Sequence, residues 1–365
     1  MANQNLGDAK KAKNDEFYTQ YADIEKEMNA YLEYNPDVFR GKTVLLPCDD
    51  PEWSNFTKYF AQNFQKFGLK KLISTSYAPN SKLSEIFYQP TLFELESPDF
   101  DESKTQDNGK IFTLTGDTSG DEVINHDDLE WSYLEGDGDF RSEEVTSLRD
   151  EADFIITNPP FSLFREFLAW IVEAGTMFAI LSNKNCVTYK EVFPLIQADA
   201  VWPGSTPMGR EMLFDAPPEI GEKLVESGRD RTWTRVGNEI KARSSSLWLT
   251  NIDHGKRHQP LPLMTMTDNI KFSKHEEVRS VGYEKYDNYD AIEVPFTDAI
   301  PSDFDGVMGV PISFLDKYSP EQFEIIGCSY DYGRPEGWRD SIDMSVSIGG
   351  KNVYKRLLIK HKKSS

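Results

Sequence analysis

Four short stretches, Thr43–Leu46, Leu72–Thr75, Phe154–Thr157 and Phe178–Leu181, are apolar or β-prone throughout rather than alternating with polar positions. Unbroken apolarity over four residues is the pattern of a parallel strand covered on both faces. The segments between them read differently. After Phe161, the residues Leu163, Phe164, Phe167, Leu168, Ile171 and Val172 recur at the spacing of one helical face, with Ser162 placed as an N-cap. Strand, turn and helix therefore alternate, which predicts an α/β fold with a doubly wound, mostly parallel sheet. Ligands of such sheets sit beyond the carboxyl ends of the strands. That rule puts the segment PCDDPEWSNF, which follows Leu46, and the segment NPPF, which follows Thr157, along one functional edge. Val201–Pro203 and Leu247–Thr250 read as two further strands. After His254 the chain is richer in Pro, Gly and Tyr and loses the βα alternation, so a boundary is expected near residue 252. The expected domains are residues 1–252, with an insertion at about 94–153, and a smaller module at 253–365.

A chain of 365 residues with abundant Phe, Tyr and Trp can bury a sizeable core, which excludes wholesale disorder. No apolar run approaches membrane-spanning length and the N-terminus lacks a signal-peptide core, so a cytoplasmic protein with no membrane partner is expected. The three cysteines, Cys48, Cys186 and Cys328, lie far apart and form neither a disulfide framework nor a metal knuckle. The net charge of −21 argues at first against a nucleic-acid partner. Its distribution changes that picture. Residues 94–153 hold 20 acidic and 4 basic side chains, which leaves the rest of the chain nearly balanced. Basic clusters stand elsewhere, at Lys10, Lys11 and Lys13, at Arg229 to Arg243, at Lys256 with Arg257, and in the six Lys or Arg between Lys351 and Lys363. Within the acidic segment, Asp117, Ser119, Asp121, Val123, Asn125 and Asp128 have calcium-loop spacing, but the position that needs Gly is Glu122, so a solvated loop without metal is expected.

Chemistry concentrates in Asn158-Pro159-Pro160-Phe161. Two prolines remove two backbone donors and fix φ, so carbonyls at this strand end stay open to a ligand. An Asn carbonyl, a main-chain carbonyl and the flat ring of Phe161 together suit a planar ring that carries an amino group. The motif holds no acid, base or thiol. Two acceptors on an exocyclic amine favour its pyramidal form and draw off charge as the nitrogen attacks a carbon electrophile, and a sulfonium methyl is an electrophile that needs no further activation.

At this point the residues resemble a family. NPPF is similar to the D/N/S-P-P-Y/F/W motif of S-adenosylmethionine (SAM)-dependent amino-methyltransferases. The set NDEFYTQYADIE, CDDPEWSNFTKYF, LEGDGDFRSEE, TNPPFSLFREF, LSNKN, YDNYDAIEV and GVPISFLDKYSPEQFEIIG resembles the EcoRI-type adenine-specific DNA methyltransferases from about residue 14 to the C-terminus. The resemblance implies a Rossmann-like SAM methyltransferase fold with a C-terminal target-recognition module. It implies a SAM site made by Phe17, Tyr18 and Thr19, by Cys48, Asp49, Asp50 and Pro51, and by Asp139 with Phe140. It implies a catalytic pocket of Asn158, Pro159, Pro160 and Phe161, into which an adenine is flipped from double-stranded DNA for N6 methylation. Lys256, Arg257, Lys355 and Arg356 are expected to meet phosphates, and the protein to act as a monomer alongside a companion restriction endonuclease. The sequence departs from the general family at two places: the glycine-rich FxGxG loop is absent, and the strand that reads ISTSY ends without the carboxylate that would hold a ribose. Two other readings stay open. An NPPY-type enzyme could act on a glutamine amide or on RNA, since the same acceptors suit any planar amide, and an acidic chain could be a non-catalytic DNA mimic.

Overall fold

The computed structural model describes residues 18–49, 54–78, 100–121, 123–124, 128–215, 221–222, 225–226, 228, 231–339 and 345–362. The chain forms two compact units, one from Met1–Lys184 with Arg210–Ile252 and one from Asn185–Gly209 with Asp253–Ser365. Residues 185–209, placed by sequence in the first domain, thus belong to the second unit.

In chain order the first unit contains β1 (Tyr18–Thr19), α1 (Tyr21–Tyr34), β2 (Thr43–Leu46), α2 (Asn55–Gln62), α3 (Phe64–Phe67), β3 (Lys71–Ser76), β4 (Lys110–Leu114), β5 (Glu130–Tyr133), α4 (Glu143–Glu151), β6 (Phe154–Thr157), α5 (Phe164–Ala174) and β7 (Met177–Asn183). The chain leaves for the second unit through α6 (Phe193–Gln197) and the two-residue β8 (Trp202–Pro203), then returns with β9 (Met212–Asp215), β10 (Trp233–Val236), β11 (Glu239–Ser244) and β12 (Ser246–Thr250). The main sheet of this unit runs β5-β4-β3-β2-β6-β7-β12. Its centre, β3-β2-β6-β7, is parallel. Its flanks are antiparallel, β4 on β3, β5 on β4 and β12 on β7. A mixed sheet therefore replaces the mostly parallel one expected. The reason is visible in burial: β2 and β6 are buried at every position, whereas β4 alternates between buried and half-buried, the pattern of a one-faced antiparallel strand. Both β4 and β5 come from the acidic segment, whose charges obscure that alternation in the sequence.

The aromatic core of this unit lies between α1, α2 and the sheet. Ile24, Met28 and Tyr31 recur on one face of α1 and meet Phe39, Phe56, Phe60, Phe154 and Trp248. Ser54 caps α2 by accepting from the Phe56 N–H (3.0 Å). A second sheet, ordered β1-β9-β11-β10, carries the N-terminal segment. The helix after NPPF begins one step later than the sequence suggests. Phe161–Leu163 form a 3-10 turn, closed by Leu163 N–H donating to the Pro160 carbonyl (2.9 Å), and α5 starts at Phe164 without a side-chain cap. Ser162 is exposed and is not the cap. Pro159 and Pro160 hold the residue before each of them extended, so no helical turn closes ahead of Phe161.

The second unit adds α7 (Met266–Phe272), α8 (Glu276–Val281), β13 (Ala291–Glu293), β14 (Val307–Val310), β15 (Phe323–Cys328), β16 (Ser347–Ile348), β17 (Lys351–Asn352) and β18 (Leu357–His361). Its sheet runs β13-β14-β18-β15, with only β13 and β14 parallel.

Candidate active site

From β2 the chain turns to β3 on one side, and from β6 it turns to β7 on the other. The crevice of the sheet therefore opens between the carboxyl ends of β2 and β6, where a topological switch point places ligands. Both sequence-predicted segments arrive there. Asp49, three residues past β2, is buried, and its carboxylate is held from two sides: the Ser54 hydroxyl donates to Oδ1 (2.7 Å) and the Thr157 hydroxyl donates to Oδ2 (2.6 Å). The Asp49 N–H donates to the Thr75 carbonyl (3.1 Å), and its carbonyl accepts from the Ser74 hydroxyl. Cys48, beside it, is half-buried.

Thr157 is the last residue of β6, so the next residue, Asn158, emerges at this crevice. Asn158 is half-buried with its Oδ1 wholly buried, Pro159 is buried, and Pro160 and Phe161 are partly buried. The Phe161 ring packs in part against the aromatic core. Thr19 is drawn to the same edge: its carbonyl accepts from the Asn55 side-chain amide at the start of α2 (2.8 Å). Tyr18 and Thr19 form β1, paired with Asp215 and Phe214 of β9. Phe17, Asp50 and Pro51 lie outside the described residues.

The Gly136–Phe140 loop docks on the end of β3 through Ala78 N–H donating to the Asp137 carbonyl (2.8 Å). Gly138 has φ +84°, and a Cβ there would sit 2.3 Å from the Ser76 carbonyl oxygen, so only glycine permits this approach. The Asp139 carboxylate accepts from Arg141 at Nε (2.9 Å) and Nη2 (2.6 Å), while Arg141 also donates to Glu166 (2.7 Å). Phe140 is fully buried and packs edge-on against Phe167 (5.0 Å) and Trp170 (5.5 Å) under α5. The loop thus supplies a carboxylate to the edge and anchors itself with the aromatic. Tyr77 stands in between. Burial pushes its phenol well up, and the neighbouring Cys48 and Asp139 push it further.

Of the four basic residues expected to meet phosphates, two are committed inside the second unit. Arg257 is buried, pairs with Asp199 and Asp253, and its guanidinium lies 3.6 Å over the Trp202 ring. Arg356 donates to Glu293 (2.6 Å), which also accepts from the Tyr286 hydroxyl. Lys256 donates to the Ser205 carbonyl (3.1 Å), and Lys355 lies 5.0 Å from the Tyr330 ring centroid. Sequence reasoning missed Ser54, Thr157, Tyr77 and Gly138. Ser54 was legible as an N-cap before the apolar positions of α2, whereas Thr157 had no signal beyond its place before Asn158. A cleft of about 430 Å³, lined in part by Lys42, Asp153, Phe154 and Met177, opens at the amino ends of β6 and β7, opposite the edge that gathers these residues.

The profile described as "Adenine-specific methyltransferase EcoRI" matches residues 5–362. The chain belongs to that family. Like this EcoRI-family chain in nearly its whole length are the Type II methyltransferase M.EcoRI of Escherichia coli, 41% identical over 99% of this chain and 97% of its own, and the Type II methyltransferase M.MpnI of Mycoplasma pneumoniae, 31% identical over 98% of each. M.MgeORF184P of Mycoplasma genitalium is 29% identical over 96% of this chain. No solved structure matches this EcoRI-family chain. No described helix is long and apolar enough to cross a membrane.

Proposed function

We infer that this protein methylates N6 of an adenine flipped out of a specific double-stranded DNA sequence, with SAM as donor and the first unit as a doubly wound, Rossmann-like catalytic domain. The observation that carries the reading is the juxtaposition of Asn158-Pro159-Pro160-Phe161 with the loop after β2 at the switch point of the sheet. Membership in an adenine-specific family, and relatives named Type II methyltransferases, support adenine and a DNA substrate.

The crevice suits a polar donor. Thr19 Oγ1 and Thr75 Oγ1 are buried with no hydrogen-bond partner among the described residues, and Thr19 adjoins the start of α2 through its carbonyl. Asp137 and Asp139 reach the end of β3 through the glycine loop, where the strand itself ends without an acid; with Arg141 holding the Asp139 carboxylate, ribose hydroxyls would be met by the lone pairs these carboxylates keep in excess. Tyr18, Thr19 and the loop of Cys48 would hold the remainder, with Phe17, Asp50 and Pro51 next to them in sequence. When bound, SAM supplies a sulfonium methyl as the electrophile. Asn158 Oδ1 and the Pro159 carbonyl would accept the two N–H bonds of the target amine and stabilise the positive charge that builds on nitrogen as it gains the methyl carbon, after which the nitrogen gives up one of those protons to solvent. Phe161 stacks on the base. The second unit is the target-recognition module, and the protein works as a monomer beside a companion endonuclease.

The test is transfer of labelled methyl from SAM to unmethylated duplex DNA, followed by nucleoside analysis. N6-methyladenine in one short context is expected. Asn158→Ala should abolish transfer and keep SAM binding. Incorporation into protein or RNA, with none into DNA, would overturn the assignment.

A further inference from the structure

We propose that Asp49 is a positioning residue, which sets Asn158 through Thr157, and is not a ligand of the methyl donor. The proposal rests on the reading of Asn158 as an acceptor for the target amine. Its starting point is the ladder between β2 and β6. Pairing covers only Val44 with Phe154 and Leu45 with Ile155, whereas on the other side β6 stays paired with β7 out to Thr157 and Ile180. The last two residues of β6 therefore lack a ladder on the β2 side. The Thr157–Asp49 hydrogen bond closes that gap one residue before Asn158.

The carboxylate is well suited to the task. An ionised Asp accepts only, so it can take a hydroxyl on each oxygen, and here both are taken, by Ser54 and Thr157. Its main-chain N–H and carbonyl are also held, by Thr75 and by Ser74, whose hydroxyl lies 2.9 Å from that of Thr57 on α2. Thr57, Ser74 and Thr157 are wholly buried, so solvent does not compete for these bonds. Asp49 thus ties three elements at one point: the end of β3, the N-cap of α2 and the residue that launches the NPPF turn. A misplacement of about 1 Å at a reacting group costs on the order of 100-fold in rate, and the carboxylate is what removes that freedom.

The experiment measures single-turnover methyl transfer and SAM affinity for Thr157→Val, Thr157→Ser and Asp49→Ala, with folding checked by circular dichroism. Thr157→Val keeps shape and β-propensity and deletes only the hydroxyl. It should slow transfer by about 10- to 100-fold with SAM affinity within about twofold, and Thr157→Ser should recover most of the rate. A Thr157→Val enzyme with wild-type rate would overturn the proposal, as would an Asp49→Ala enzyme that binds SAM much more weakly yet transfers at full rate when saturated. If Asp49→Ala does not fold, Thr157→Val decides alone. Asn158→Ala separates the two levels: retained transfer there refutes the reading of Asn158, whereas loss there with an unaffected Thr157→Val refutes the clamp only.

Discussion

Gly138→Ala probes the contact that brings the acidic loop to the sheet. The substitution must meet two demands. The backbone at φ +84° lies in the left-handed region, which costs a residue with a Cβ about 1–2 kcal/mol. The new Cβ would also sit 2.3 Å from the Ser76 carbonyl oxygen, and reaching a tolerable 3.0 Å means shifting backbone by about 0.7 Å, because no flexible side chain is there to yield. A shift of that size stretches the 2.8 Å bond between Ala78 N–H and the Asp137 carbonyl past hydrogen-bond length, at a further cost of about 0.5–1.5 kcal/mol. The total of about 1.5–3.5 kcal/mol should lower the melting temperature of a unit this size by roughly 3–14 °C. Gly175 is the control. It ends α5 at φ +65° with nothing within 4 Å of the position a Cβ would take, so Gly175→Ala carries the backbone cost alone, about 1 kcal/mol and roughly 2–4 °C. Differential scanning calorimetry of both variants, with SAM titrations alongside, gives the readout: Gly138→Ala should lose more stability and also SAM affinity, since Asp137 and Asp139 move with the loop. Equal melting temperatures for the two variants would show that the close approach carries no weight and refute the reasoning.

The remaining predictions concern the second unit. His258 lies between two carboxylates, Asp253 at 2.9 Å and Glu321 at 2.6 Å. Burial alone would lower its pKa, but the bonds to both carboxylates outweigh that and raise it. A raised folded-state pKa gives stability that is complete below the unfolded value of about 6.5 and is lost as pH climbs through the folded value. Urea midpoints measured between pH 6 and 9 should therefore fall more for wild type than for His258→Gln, and identical profiles would count against the bridge. Arg356→Met leaves the buried Glu293 carboxylate with the Tyr286 hydroxyl but no cation, and should destabilise by about 3–5 kcal/mol in chemical denaturation. Weaker DNA binding at unchanged stability would instead support the phosphate contact expected of Arg356 from sequence.

The sequence by itself determined the parts of this protein whose physics is local. Uncharged, β-prone runs such as Thr43–Leu46 and Phe154–Thr157 become strands at those bounds, because such side chains suit a strand covered on both faces. Pro159-Pro160 likewise ends β6 by chain geometry alone. The motif set named the family, since order and spacing survive without coordinates. The rest is pairwise. That Asp49 is spent on Ser54 and Thr157, that Asp139 faces Arg141, that Phe140 is a core anchor, and that Arg257 and Arg356 are internal ion pairs all depend on which side chains folding brings into contact. A charged or aromatic residue reads the same along the chain whether it meets a ligand or another residue. The direction of β4 and β5 belongs here as well, because antiparallel pairing with β3 is a choice of partner made across the sheet.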